Sequence, residues 1–516
     1  MRSSFKKYRN NWIAIILLIA LSVVLIQYSH HVKHIASIVD NRPAVQRFYE
    51  EPKWDGPLEM AHGDQVEKQI EAKYAASPLQ RHRKLNSIKH LSSCSVPNHK
   101  PGAANILLND ANLEGLMSRV VFTRSDSLPT DVARFNPNIL PYPAGSQYPY
   151  IGFVRESLEK KQEIDNSWRH SVWTCDLDWE TVDTFGQQLL KCQTQPKRLE
   201  IDHWKSKKDS CFKWPWISSG LGQIDPRVFF SPLGEPLMIF GSNGPENCVA
   251  QFVVDLRRYV PDLSQRMKLS NVPMRFSNVT YLTRQPPLAE MEKNYFMLFD
   301  ETNQIFIHHE LAERSLALMD DPAQRNLAVY SQAPECVLKL RHSMPDQKRQ
   351  KIRIHQATNS LRVTLCEYPC EPTLQNTVLV FIAHIKYENW LKVYYRRNLI
   401  VMNATAPFEI LARSENLNYA GADERQIIYT VSMSWDHVHY RTHAQIPLHY
   451  QETNAEGELQ TVPKPKVTTA DNDLVNDFYH GWLDDTVMIG LGINDKESGV
   501  IHVKASKLLD CLEICR

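Results

Sequence analysis

The chain has 516 residues, 43% hydrophobic and 23% charged, with a net charge of +1. That is globular composition with ample length for a buried core, and it carries no basic surplus that would draw nucleic acid. The 30 prolines, 18 glycines and 9% aromatic residues, set among many short apolar runs, suit a turn-rich β protein. Length alone allows two or three domains, or one long barrel or propeller.

The N-terminus is distinct. Arg2, Lys6, Lys7 and Arg9 precede an uncharged run from Trp12 to Ile26. A bilayer needs roughly 17 apolar residues or more, so the stretch to Tyr28 can cross a thin membrane. The basic flank stays cytosolic, with Trp12 and Tyr28 at the two interfaces. His30, His31, Lys33 and His34 follow, where a cleaved signal peptide would end in small residues. The predicted organisation is a cytosolic tail at 1–11, a transmembrane signal anchor at 12–28, a luminal stem at 29–100 and the main domain at 101–516. The later part of the stem could instead fold onto the domain as a small helical cap. A lumen would permit disulfides among the ten cysteines, whose pairing the sequence leaves open. It would also permit N-glycosylation at Asn278 and Asn403, each of which opens an acceptor sequon.

From about Ile106 the chain repeats one unit: an apolar strand, a polar turn, an apolar strand. The first unit pairs Phe135–Leu140 with Tyr150–Arg155. The segment from Lys160 to Lys213 reads as an insertion. The second unit holds Ser218–Ser242, with a tight turn from Pro232 to Pro236. The third pairs Tyr295–Phe299 with Ile305–His309. The fourth runs through 377–384, 391–395 and 399–402, and the fifth through 427–431, 486–490 and 500–503. Five such units with few helices between them predict an all-β fold, a five-bladed β-propeller. A β-sandwich with long insertions is the competing architecture.

The second unit opens on Asp225-Pro226-Arg227. On a regular strand Asp225 and Arg227 point to one face, and Pro226 belongs at a strand start or edge. An acid and a base at a hairpin mouth make either a site or a surface ion pair.

Phe135-Asn136-Pro137, Asp225-Pro226-Arg227, Glu292-Lys293-Asn294-Tyr295, the run Pro407–Ser414, and Asp484-Asp485-Thr486-Val487 through Gly492-Ile493-Asn494-Asp495 occur in this order. The series resembles the five-bladed propeller enzymes that act on β-mannosides by inverting phosphorolysis. With its anchored layout, the chain is more similar to the fungal β-mannosyltransferase family, which makes β-1,2-mannosidic links on cell-wall mannans in the Golgi. The resemblance covers most of the chain after about residue 100. It implies a single-pass type II Golgi enzyme with GDP-mannose as donor and a mannan or oligomannoside as acceptor.

Carried over residue by residue, the resemblance makes Asp225 the one acid/base. In a transferase it would take the acceptor hydroxyl's proton. Arg227, Lys293 and His384 would hold the donor phosphates, Arg227 as a planar fork and Lys293 as a point charge. Asn136, Arg155, Glu292, Asn294 and Asp495 would hold sugar. Simpler roles compete: a solvated charge for Lys293, a satisfied core histidine for His384, and turn residues for Asn136 and Asp495. Three departures stand out. Ile224 precedes Asp-Pro-Arg where the pattern has Glu, Tyr295 follows Glu-Lys-Asn where it has Trp, and Ile385 follows His384 where it has Gly. They fit a shifted donor site better than phosphorolysis.

Asp176-Leu177-Asp178 has the spacing of a divalent-ion motif, but a solvated acidic loop explains it as well, and no metal is expected. There is no Gly-rich phosphate loop, GxSxG elbow or HExxH zinc site. The alternatives to a transferase are a β-mannoside phosphorylase and a carbohydrate-binding propeller without catalysis.

Overall fold

The computed structural model describes residues 106–108, 117–122, 132–158, 169–181, 188–202, 211, 221–284, 288–312, 314–319, 326–330, 333–341, 351–388, 393–421, 426–436, 450–453, 459–462 and 478–515. The anchor expected at 12–28 and the stem at 29–100 lie outside them. Among the described residues no helix is long and apolar enough to cross a membrane.

The described chain is almost entirely β, with single-turn helices such as Leu263–Arg266 and Ala505–Leu508. Its strands group into five antiparallel meanders. The first is Val132–Pro141, Tyr150–Leu158, Arg169–Thr181 and Gln188–Cys192. The segment expected to be an insertion therefore supplies its two outer strands, and the Cys175–Cys192 disulfide joins them. The second meander is Ile224–Phe230, Pro236–Ser242, Ala250–Asp255 and Thr280–Leu282. Its tight turn falls where Pro232, Gly234 and Pro236 placed it. The third is Phe296–Phe299, Ile305–Glu310, Ser315–Met319 and Asn326–Tyr330.

In the fourth, Thr377–Glu388, Val393–Asn403 and Ile410–Tyr419 follow Lys351–Gln356 and Leu361–Thr364. Its two expected short strands at 391–395 and 399–402 are one continuous strand. The fifth is Ile428–Trp435, Thr486–Ile493 and Glu497–Lys504, completed by the early strand Ser118–Val121. That early strand also runs parallel to Gln188–Cys192, so the first and last units share one hydrogen-bonded sheet.

The core explains why these strands read as unbroken apolar runs. In the second meander Val228, Phe230, Met238 and Phe240 pack against Phe153 and Val172 of the first. Their neighbours Phe229, Leu237 and Ile239 pack the other way, with Met297 and Phe306 of the third. Successive residues face opposite sides of a strand, so a sheet buried on both faces needs apolar residues at nearly every position. The third meets the fourth through Phe306, Phe381 and Ile400. The fourth meets the fifth through Val380, Val401 and Ile489. The fifth meets the first through Met488, Val500, Val154 and Leu177. Each unit packs on two neighbours, in a closed cycle.

Further disulfides join Cys211–Cys248, Cys336–Cys515 and Cys366–Cys370, and Cys511 is disulfide-bonded as well.

Candidate active site

Two bulges lie side by side where the first and second meanders meet. Asp225 has φ +50° and Asn136 has φ +60°. Pairing slips at both places, between Ile239 and Gly241 opposite Asp225, and between Phe135 and Asn138. The alternation expected to aim Asp225 and Arg227 to one face therefore does not apply; the bulge re-aims Asp225. Asn138 ties the bulges together. Its Nδ2 donates to the Pro226 carbonyl at 3.1 Å, and its Oδ1 accepts from the Val228 amide at 2.9 Å. Asn294 and Asp495 share the left-handed backbone, at φ +61° and +53°. Left-handed non-glycine residues are uncommon and gather at functional sites.

Asp225 is ion-paired through Oδ1 to Arg155 Nη1. Its side chain keeps 32% of its surface exposed. Burial pushes the carboxyl up, but Arg155, Lys293 and Arg227 outweigh burial and hold it well below the usual carboxylate range. Arg155 also lies over the Phe135 ring and donates through Nη2 to His170 Nδ1 at 3.2 Å. Burial and the Arg155 charge push His170 down to about 3, so its imidazole is neutral. Strand Leu221–Gly222 holds His170 by running parallel to Arg169–His170. Gly222 has φ +101°, and a Cβ there would stand 1.8 Å from the His170 carbonyl oxygen.

Asp225, Arg227, Gln251, Lys293 and Asn294 line one cleft. Lys293 is exposed at its rim. Arg227 is buried and does not offer an empty fork. Its Nε donates to the Ala357 carbonyl at 3.0 Å, Nη1 to that of Pro226 at 3.2 Å and Nη2 to the Tyr429 hydroxyl at 3.1 Å. Its charge remains in the cleft while its geometry serves the bulge.

Four more of the expected site residues are buried. His384 is fully buried, with its Nε2 accepting from the Thr430 amide at 3.2 Å, and burial holds it well below the usual histidine range. Its ring packs on Tyr429 with centroids 4.6 Å apart. A neutral imidazole that supports the partner of Arg227 fits the simpler of its two expected roles, a satisfied core histidine. Glu292 is buried, and its Oε1 accepts from Arg284 Nε at 3.0 Å and the Ala289 amide at 2.6 Å. It shapes the loop that presents Lys293 and Asn294, where sugar contact was expected. Asn136 is buried in the bulge, with its Oδ1 against Gly492 and without a hydrogen-bond partner among the described residues. Asn403 is buried too, and its Oδ1 accepts from the Thr405 amide at 3.4 Å. Asn278 is exposed.

Asp495 occupies the exposed turn between Thr486–Ile493 and Glu497–Lys504. It is close enough to feel Arg155 and Asp225, and desolvation raises its carboxyl. Asp176 and Asp178 lie on a strand, not a loop. Asp176 is ion-paired to Arg266 and accepts from the Tyr142 hydroxyl at 2.9 Å. His170, Asn138 and Tyr429 escaped the sequence reading. His170 and Tyr429 sit in strands with no motif around them, Asn138 directly follows Phe135-Asn136-Pro137, and only the meeting of distant strands shows their roles.

No family model and no curated protein matches the chain. Solved structures with a similar course include a glycosyl hydrolase from Bacteroides ovatus, at 11% identity over 78% of this chain and 96% of that one, with a TM-score of 0.37. MPT-1, a GDP-Man-dependent mannosyltransferase from Leishmania mexicana, aligns at 9% identity over 76% and 91%, with a TM-score of 0.34. A structure from the GH130 family of mannoside phosphorylases, which contains glycoside hydrolases that target beta-1,2 mannosidic linkages in Candida mannan, aligns at 10% identity over 79% and 96%, also at 0.34. Scores this low carry no functional argument.

Proposed function

We propose that the chain is an inverting mannosyltransferase with Asp225 as general base. It moves mannose from GDP-mannose to a mannoside hydroxyl and builds β-1,2-mannosidic linkages on cell-wall mannan or a related glycan. The observation that carries this reading is an ionised, one-third exposed carboxylate in a cleft shared with Lys293 and the charge of Arg227. The donor's identity and the linkage come from the motif series described above. The cyclic packing of five meanders supports reading the domain as a five-bladed propeller. The disulfides and the apolar run from Trp12 to Ile26 support an anchored enzyme with a luminal domain, as in the Golgi.

In the reaction the acceptor O–H gives its proton to Asp225 as its oxygen attacks the anomeric carbon. The bond from that carbon to the phosphate oxygen breaks, and its electron pair leaves on the diphosphate. Lys293 and the Arg227 charge stabilise that oxygen, so it needs no proton. Attack opposite an α-linked leaving group gives a β product with one carboxylate and no covalent intermediate.

One observation favours a second reading, glycoside cleavage by water or phosphate. The Asp225 carboxyl is held low while that of Asp495 is raised, the separation expected of a base and an acid. The full-length chain is incubated with GDP-mannose and mannobiose, then with mannobiose and phosphate, then with mannobiose in buffer alone. GDP release with a longer glycan supports the transferase. Mannose 1-phosphate shows a phosphorylase, free mannose a hydrolase, and binding without any product a carbohydrate-binding propeller.

A further inference from the structure

At the other end of the first meander lies a second cavity, of about 310 Å³. Asn136 and Tyr142 are six residues apart along one extended stretch, so roughly 20 Å separates this cavity from the bulges. Its walls are the rings of Tyr142, Tyr148, Tyr150 and Trp179, with Asp178 and Ser146 among the polar groups.

The aromatic walls are fixed. The Tyr142 hydroxyl is held by Asp176 and Arg266, and that of Tyr150 donates to Asp436 Oδ1 at 3.1 Å. With those hydroxyls engaged behind the wall, the two residues offer the cavity ring carbon. Trp179 stands edge-on to Tyr150, with centroids 6.5 Å apart, and is 5.3 Å from His502. The loop over the mouth is closed by the Tyr142 amide donating to the Pro149 carbonyl at 2.8 Å. Asp178 accepts from the Trp179 amide at 2.7 Å through Oδ1. Its Oδ2 makes no hydrogen bond among the described residues, and the side chain is half-buried at the cavity.

Rigid aromatic walls with few polar groups define the class of occupant. The volume suits a small organic ligand, for which pockets run about 300–1,000 Å³. Among the described residues no basic side chain lines the cavity and its one charged group is acidic, so phosphates and nucleotides are disfavoured. A neutral pyranose presents C–H faces to the rings and hydroxyls to a carboxylate and a serine.

We propose that this cavity is a second saccharide-binding site, remote from Asp225, which holds a neutral glycan by ring stacking on Trp179 and Tyr148 and by hydroxyl donation to Asp178. The choice of a mannoside as probe rests on the function proposed above; the presence of a saccharide site here does not.

The test is calorimetric titration of the full-length chain with mannotriose. Wild type is expected to bind two molecules per chain. Tyr148→Ala, at a half-exposed position, and Asp178→Asn are each expected to weaken one site at least tenfold and to leave Asp225-dependent turnover of mannobiose unchanged. Loss of the only binding event in either variant would support this cavity and remove the assignment at Asp225. Unchanged binding in both variants overturns the proposal, as does tighter binding of choline than of any mannoside or glucoside.

Discussion

Arg155 and Asp225, separated by 70 residues in sequence, are joined by an ion pair that bridges the first and second meanders. That pair aims the carboxylate and keeps it ionised, so the base is assembled only when the two sheets pack. Asp225→Asn keeps the shape and removes the proton acceptor. Turnover is expected to fall by about 10²–10⁴, with a smaller change in the KM for donor. Steady-state rates on the full-length variant, with an unchanged melting curve, check this. Full turnover in Asp225→Asn would remove the base assignment.

Replacing Arg155 tests the electrostatics separately. Among the neighbouring charges Arg155 has the largest lowering effect on Asp225. A base must be ionised to work, so the rate falls as pH drops through its pKa. Arg155→Gln raises that pKa, and the acid limb of the pH–rate profile is expected to move to higher pH. The kcat/KM profile for donor is the measurement, because it reports on the free enzyme.

Donor binding should act on the same carboxylate. Lys293 and Arg227 both lower it, and a bound diphosphate would neutralise part of their charge. Asp225 would then become a stronger base with the donor in place. The apparent acid-side pKa in kcat is expected to lie above that in kcat/KM for donor. Lys293→Met should shrink this gap and weaken GDP inhibition at least about tenfold, with less effect on acceptor KM. Equal apparent pKa values in wild type would refute the coupling.

The strands and turns of this chain were legible because both faces of each sheet are buried, which makes them continuous apolar runs broken by Pro and Gly. The hairpin around Pro232–Pro236 shows this directly. Less legible were the outer strands of the first meander, whose Trp, Cys and charged residues break the pattern around Arg169–Thr181. Asp225, Arg227, Lys293 and Asn294 were found by motif and do share a cleft. Asp225 does not pair with Arg227, because a positive φ at Asp225 breaks the alternation on which that pairing rested. For His384 the apolar strand left two roles open, a phosphate ligand and a satisfied core histidine; the ring is buried against the Thr430 amide, which fits the second.

Acid should destabilise the fold through its buried histidines. Burial pushes His308 down to about 4 and His309 to about 3, and holds His384 well below the usual range. In the unfolded chain each takes a proton near 6.5. Between these values the unfolded state binds more protons, so stability falls as pH falls. The contribution is complete above about pH 6.5 and is lost progressively below it, at up to about 1.4 kcal/mol per pH unit for each histidine. Urea midpoints at pH 7.5, 6.5 and 5.5 are expected to drop between the last two. A midpoint that stays level there would contradict neutral, buried histidines.

The support behind His170 predicts a contrast between two glycines. Gly222 and Gly145 both have left-handed backbones, at φ +101° and +80°. A Cβ on Gly145 would meet nothing within 4 Å, whereas one on Gly222 would stand 1.8 Å from the His170 carbonyl oxygen. Gly145→Ala therefore costs only the backbone conformation, about 1–2 kcal/mol. Gly222→Ala adds a clash that the pairing of 221–222 with 169–170 cannot absorb without moving His170, and with it Arg155. The Gly222 variant is expected to melt lower than the Gly145 variant and also to shift the acid limb of its pH–rate profile upward, in the direction of Arg155→Gln. The Gly145 variant should leave that limb in place. If both variants lose stability equally and neither profile moves, Gly222 serves the backbone alone, and the path from His170 through Arg155 to Asp225 does not set the base.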